Sequence, residues 1–126
     1  YYTTTKGVLE KVKAHVDDVD FAVQPEVLSL LSSGNFGRYA DEKGEMKVCF
    51  ISNNDITGGN SGSAMFNSKG ELLGLAFDGN WEAMGSDILY EPKMQRTIGV
   101  DVRYILFMIE KYGKAGNLIR ELNILN

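Results

Sequence analysis

Short alternating runs of apolar and polar residues, separated by turns rich in Gly, Asn and Ser, make up most of this chain, and they predict strands. From Tyr2 to Val12 β-formers alternate with Lys and Glu, so a strand is expected there, with Gly7 marking a bulge or a close backbone approach. His15 to Asp20 is acidic and turn-like, and Phe21-Ala22-Val23 has the composition of a short strand. Pro25 then stands where a first helical turn accepts proline. Leu28, Leu30 and Leu31 supply an apolar face, and Gly34 falls where a helix end favours a left-handed residue, so a short helix is predicted. Asn35 to Gly44 reads as a polar loop with two aromatics, and Glu45 to Ser52 returns to strand composition.

In the second half, Ser63 to Asn67 and Glu71 to Asp78 read as a hairpin, because Ser68-Lys69-Gly70 is a short connection ending in glycine. Trp81 to Pro92 is a loop with a short strand expected at Ile88 to Tyr90, and Gln95 to Val100 is a further strand. Asp101 stands where it can cap a helix running to Tyr112, with Val102, Ile105, Leu106 and Ile109 on one face and Gly113 as its stop. A last helix is expected near Ala115 to Leu122. Residues 1–126 thus read as one domain, mainly β: an antiparallel barrel or sandwich with a short internal helix and C-terminal helices.

Between two of these strand-like runs lies Thr57-Gly58-Gly59-Asn60-Ser61-Gly62-Ser63-Ala64-Met65. Glycines on both sides of Ser61 open backbone conformations closed to residues with a Cβ, so the N–H groups of Gly59 and Ser61 can converge beside a raised hydroxyl. That is the layout of a nucleophile with an oxyanion hole. An ordinary Gly/Asn/Ser turn between strands has the same composition.

The Gly-Asn-Ser-Gly-Ser pattern resembles the Gly-Asp-Ser-Gly-Gly of chymotrypsin-like serine peptidases. The longer runs Asn54 to Ser63, Gly74 to Glu82, Gln95 to Ile98 and Val100 to Phe107 are more distinctive. They resemble the C-terminal part of bacterial dipeptidyl-peptidase 7/11-type enzymes, serine exopeptidases of the chymotrypsin clan, and the likeness covers nearly the whole chain. The resemblance implies the second barrel of a double barrel, with Ser61 as nucleophile and the N–H groups of Gly59 and Ser61 as oxyanion donors. It implies that Asp78 receives the substrate's free N-terminus and that Gly79 lies in the specificity pocket. The catalytic His and Asp would come from an N-terminal segment outside this chain. A location in the periplasm or at the surface of a Gram-negative cell, a peptide as substrate and no cofactor go with it. Ala64 departs from the pattern, where proline is expected, and Asn60 replaces the aspartate before the serine. An amide there can still hydrogen-bond to the surrounding loop.

Composition narrows the alternatives. The 44% apolar share is ordinary for a globular chain, and a net charge of −4 without a Lys/Arg cluster argues against a nucleic-acid surface. The longest apolar runs, Tyr104 to Ile109 and Leu72 to Phe77, are far shorter than the roughly 20 residues of a membrane span. Cys49 is the only cysteine and is expected as a small buried hydrophobe; one cysteine and one histidine offer no metal-ligand pair. The opening Tyr1-Tyr2-Thr3-Thr4-Thr5 lacks an initiator methionine, as a piece of a longer chain would. Apolar surface facing the missing part is then expected, with self-association as a homodimer among its consequences.

His15, with Asp17, Asp18 and Asp20 beside it, is a base only if the N-terminal segment of the family is set aside. Trp81 and Tyr104 are expected in the core. Two features compete for selectivity. Asp55, six residues before Ser61, would select Lys or Arg, whereas Gly79 would leave room for a bulky apolar side chain. The leading reading is a serine dipeptidyl aminopeptidase preferring a hydrophobic residue before the scissile bond. A non-catalytic peptide-binding or partner-binding barrel and a chymotrypsin-like endopeptidase are the alternatives.

Overall fold

Alternation and turn chemistry build the hairpin in the second half as expected. A computed structural model describes residues 1–85, 91 and 93–125. In it β3 (Ala64–Phe66) and β4 (Leu72–Gly79) pair antiparallel through the turn at Asn67 to Gly70. The Asn67 side chain fastens that turn by accepting from the N–H groups of Lys69 (2.9 Å) and Glu71 (3.0 Å). With β1 (Tyr2–Thr4), β2 (Lys47–Ser52) and β5 (Thr97–Asp101), the hairpin forms a five-stranded sheet of order β1-β2-β5-β4-β3. The pairs β2–β5 and β4–β5 are antiparallel, with Cys49 opposite Val100 and Gly74 opposite Asp101. Among the described residues, helical ones nevertheless outnumber strand ones, 38% to 21%, more than the alternation suggested.

The chain divides into two units. The sheet unit holds Tyr1–Tyr2 and Val48–Val102. Its interior side chains are Met65, Ala76, Gln95, Thr97 and Asp101. The Phe50 ring and the Met65 sulfur fill the space over Gly99. Cys49 is half-buried rather than buried, because it sits on β2 toward one end of the sheet.

The helical unit holds Thr3–Lys47 and Arg103–Asn126, and it corrects the sequence reading first. Where a strand was expected over Tyr2 to Val12, only Tyr2–Thr4 is extended, and α1 (Thr5–Ala14) follows. The reason is periodicity: Thr5, Val8, Leu9 and Val12, at i, i+3, i+4 and i+7, turn inward, while Lys6, Glu10, Lys11 and Lys13 are exposed or nearly so. Gly7 is a helical residue, not a bulge. Phe21-Ala22-Val23 is not a strand either. Val19–Phe21 forms a 3-10 turn opened by the Asp18 carboxylate, which accepts from Asp20 N–H at 3.0 Å.

α2 (Pro25–Ser32) forms where Pro25 and the leucines place it, and Gly34 takes the left-handed conformation, φ 66°. The loop after it was read as polar, yet Phe36 and Tyr39 are buried. Both pack edge-on against Phe107, with ring centroids 5.7 and 6.1 Å away. Phe107 ends α3 (Val102–Phe107), which does not continue to Tyr112 as an ordinary helix. Met108–Tyr112 widens into a π-helical turn, closed by Gly113 N–H on the Met108 carbonyl at 2.8 Å. The left-handed residue at this end is Lys114, φ 52°, rather than Gly113. α4 (Gly116–Glu121) follows and buries Ile119. Asp101 stands in the expected place just before α3 and is buried.

One polar pair is built into this core. The Tyr39 hydroxyl donates to Glu110 Oε2 at 2.7 Å. Burial, reinforced by that hydrogen bond to a carboxylate, pushes the phenol up to about 12. The same bond, with help from Lys111, holds the Glu110 carboxyl below its ordinary value. No helix among the described residues is long and apolar enough to cross a membrane.

Candidate functional site

The turn from Thr57 to Ser63 is fixed at two levels. Within it, Thr57 N–H donates to Asn60 Oδ1 at 2.8 Å and Asn60 N–H returns a bond to the Thr57 carbonyl at 3.1 Å. The amide that replaced the aspartate therefore clasps the loop, as expected of it. Against β4, Gly62 N–H donates to the Ala76 carbonyl (2.7 Å) and Ala76 N–H to the Ser63 carbonyl (2.8 Å). Gly59 and Gly62 sit at φ 96° and 87°, conformations strained for any residue with a Cβ. Ser61 stands exposed between them.

The bonds leave a remainder. The N–H groups of Asn60, Gly62 and Ser63 are all engaged, whereas those of Gly58, Gly59 and Ser61 donate to no acceptor among the described residues. The Ser61 hydroxyl makes one contact, donating to the Phe77 carbonyl over a long 3.4 Å. Donors left out of the fold's own bonding, beside a loosely held hydroxyl, are suited to an incoming carbonyl oxygen.

β4 supplies the facing wall. Its register against β5 slips between Ala76 and Asp78, so Phe77 is bulged and the three residues Phe77, Asp78 and Gly79 are re-aimed. Asp78 is exposed; one carboxylate oxygen accepts from Gly79 N–H at 2.7 Å, and no other donor among the described residues reaches it. Ile56 to Ser61, Ala76 to Asn80 and Ala83 together line a cavity of about 230 Å³. Gly59, Ser61, Asp78 and Gly79, the four residues singled out in the sequence, thus border one concavity.

Other expectations fall differently. Asp55 is exposed and does not line the cavity. Trp81 is not in the core: it opens a 3-10 turn (Trp81–Gly85) and is 81% exposed, because that turn leads away from the end of β4. Tyr104 is half-buried. His15 stacks on Phe21 with ring centroids 4.1 Å apart, and the unit that carries Ser61 contains no histidine. The strand expected at Ile88 to Tyr90 lies outside the described residues. No group of three or more His, Cys, Asp or Glu suited to a metal occurs among the described residues. Asn80, Ala83 and Ile56 were missed; the run Asp78-Gly79-Asn80-Trp81 was the one signal for the first of them.

Comparison with known proteins gives this arrangement a class. The chain belongs to the peptidase S46 family, whose model matches residues 1–124. It is 60% identical over 124 residues to dipeptidyl-peptidase 7 of Porphyromonas endodontalis, covering 98% of this chain and 15% of that protein. It is 46% identical over 124 residues to the Asp/Glu-specific dipeptidyl-peptidase of Porphyromonas gingivalis, covering 98% of this chain and 17% of the relative. Among solved structures it is similar to Porphyromonas endodontalis DPP11 in complex with the dipeptide Arg-Glu, at TM-score 0.86 and 43% identity, over 95% of this chain and 17% of that one. The chain thus spans about a sixth of the length of these relatives.

Proposed function

We propose that this chain carries the nucleophile of a serine dipeptidyl peptidase that releases dipeptides from the free N-terminus of peptides. The observation that carries the reading is the single cavity bordered by Ser61, Asp78 and Gly79, with the Gly59 and Ser61 N–H groups left without acceptors. Ser61 Oγ attacks the scissile carbonyl, and the two N–H groups hold the oxyanion as it forms. A serine hydroxyl is a weak nucleophile without a base, and the sheet unit has no histidine. In this reading the base and its carboxylate come from a part of the whole protein outside these 126 residues, as the resemblance to the family implies.

Asp78 gives the reading its exopeptidase character. Its carboxylate has one oxygen occupied by Gly79 N–H, which orients it, and the other is turned over to a substrate ammonium as a charge-assisted bond. The names of the relatives, dipeptidyl-peptidase 7 and Asp/Glu-specific dipeptidyl-peptidase, support this reading. A chymotrypsin-like barrel in the whole protein and a place in the periplasm or at the cell surface belong to the same proposal. The exposed side chains of Phe66, Phe77 and Trp81 suit a surface that the rest of the whole protein covers.

For the residue before the scissile bond, Gly79 favours an apolar side chain because it leaves space where a longer residue would fill it. Asp55 does not line the cavity, which supports Gly79 over it as the selector. The test is kcat/KM on dipeptidyl substrates ending in Leu or Met, Lys or Arg, and Asp or Glu, in the full-length enzyme and its Gly79→Arg variant. Leu and Met are expected to lead by about tenfold or more, the range set by burying one apolar side chain, and the variant to move toward Asp and Glu. Preference for Lys or Arg, or an unaltered profile in the variant, refutes this assignment of the pocket.

A further inference from the structure

The space at Gly79 is bounded by a residue that sequence reasoning passed over. A Cβ added at Gly79 would lie 2.8 Å from the Ala83 Cβ, closer than side chains approach, and 3.8 and 3.9 Å from the Arg96 carbonyl oxygen and Ile56 Cδ1. The latter two neighbours, one backbone oxygen and one side-chain carbon, are at ordinary contact distance. Ala83 is therefore the close wall, and the room at position 79 is set by a pair of residues rather than by one glycine.

Ala83 is held in place. It sits in the 3-10 turn Trp81–Gly85 and its N–H donates to the Asn80 carbonyl at 2.9 Å. Asn80 is in turn fastened mainly to the segment that leads into β5. Its N–H donates to the Arg96 carbonyl (2.9 Å), its Oδ1 accepts from Arg96 N–H (2.8 Å), and its Nδ2 donates to the Met94 carbonyl (2.9 Å) and to Glu82 Oε2 (2.7 Å). An asparagine with both ends of its amide occupied, two of the bonds to backbone, is a rigid anchor for the turn.

We infer that Ala83 is a specificity-determining residue that acts jointly with Gly79, and that Asn80 is the positioning residue that fixes Ala83 at the pocket wall. The inference rests on the cavity being the pocket for the residue before the scissile bond. A larger side chain at 83 narrows the cavity beside Gly79. A side chain at 79 is admitted only if Ala83 yields. Loss of the Asn80 anchor lets the wall drift, so bulky and small substrates are no longer told apart.

The experiment uses the full-length enzyme and dipeptidyl substrates ending in Leu, Met or Ala. Ala83→Leu is expected to lower the Leu-to-Ala ratio of kcat/KM by about tenfold, through KM for the Leu substrate, while Ser61 still reacts with a fluorophosphonate. Gly79→Ala is expected to lower the same ratio, and Gly79→Ala with Ala83→Gly to restore most of it. Asn80→Ala should lower the ratio, again through KM, with Ser61 labelling kept. A labelled Ala83→Leu enzyme with the parent's ratio overturns the inference. So does a double variant no better than Gly79→Ala alone, which decides the matter even if Ala83→Leu fails to fold. Ser61→Ala is run alongside: turnover that survives it overturns Ser61 as the nucleophile and with it the reading of this cavity as the active site, whereas its loss with an unmoved ratio in the Ala83 variants overturns only the role of Ala83 and Asn80.

Discussion

The two units of this chain treat their polar groups in opposite ways. In the helical unit even the buried phenol of Tyr39 has a partner, and the largest aromatics, Phe36, Tyr39 and Phe107, interlock at edge-to-face geometry. In the sheet unit, the turn around Ser61 leaves N–H groups without acceptors and a hydroxyl with one long contact, while Phe66, Phe77 and Trp81 stand in solvent. Those exposed N–H groups are open to water or to an incoming acceptor, whereas the buried phenol must find its partner within the fold. The proposed site lies in the unit whose exposed turn keeps such groups accessible, and the tightest aromatic packing lies in the other.

The sharpest way to break that comparison is at Ser61. Ser61→Ala in the full-length enzyme is expected to lower kcat by about 10⁴-fold or more, since the serine and its base act as a unit. Among the described residues the hydroxyl makes one hydrogen bond, a long 3.4 Å contact at the surface, so unfolding free energy should stay within about 0.5 kcal/mol. Paired kinetics and denaturation check both halves. A variant that unfolds early would mean that the turn is structural after all.

The converse belongs to Phe107, which is 1% exposed and touches both other aromatics of its cluster. Phe107→Ala is expected to destabilise the chain by about 3–5 kcal/mol, the usual cost of emptying an aromatic site in a core. Urea denaturation of the 126-residue chain measures it. A loss below about 1 kcal/mol would place the core elsewhere.

The same division governs how much could be read in advance. The β3–β4 hairpin was legible because its signals are local: alternation on both sides and a short turn ending in glycine. That Ser61, Gly59, Asp78 and Gly79, the residues of the proposed site, border one cavity was foreshadowed because the turn and the strand facing it carry them in short consecutive runs. α1 was misread because β-branched residues and Gly7 disguised an i, i+3, i+4, i+7 stripe, and packing of that stripe outweighs propensity. The burial of Phe36 and Tyr39 could not be read at all, since their partners Phe107 and Glu110 come some seventy residues later. Ala83 escaped for a related reason: its importance lies in a close approach to Gly79 that only a turned backbone creates.

The smallest effect falls on the Tyr39–Glu110 pair of the helical unit. Tyr39→Phe keeps the ring and its edge contacts with Phe107 but removes the donor to Glu110. A hydrogen bond to a charged group is worth about 1.5–3 kcal/mol, and because Glu110 is partly exposed, solvent screening brings the expected loss to about 1 kcal/mol at neutral pH. The pH dependence distinguishes this bond from packing. Glu110 is held below its ordinary value, so its contribution is complete above about 4.5 and is lost as pH falls through the folded value. Tyr39 is raised from 10 to about 12, so its contribution is complete below 10 and is lost as pH rises through 12. The gap in unfolding free energy between the parent chain and Tyr39→Phe should therefore be widest near neutrality and narrow toward both about pH 3 and about pH 11. Denaturation curves at the three conditions give the answer. A gap constant with pH would assign the loss to packing and leave the Glu110 bond without energetic weight.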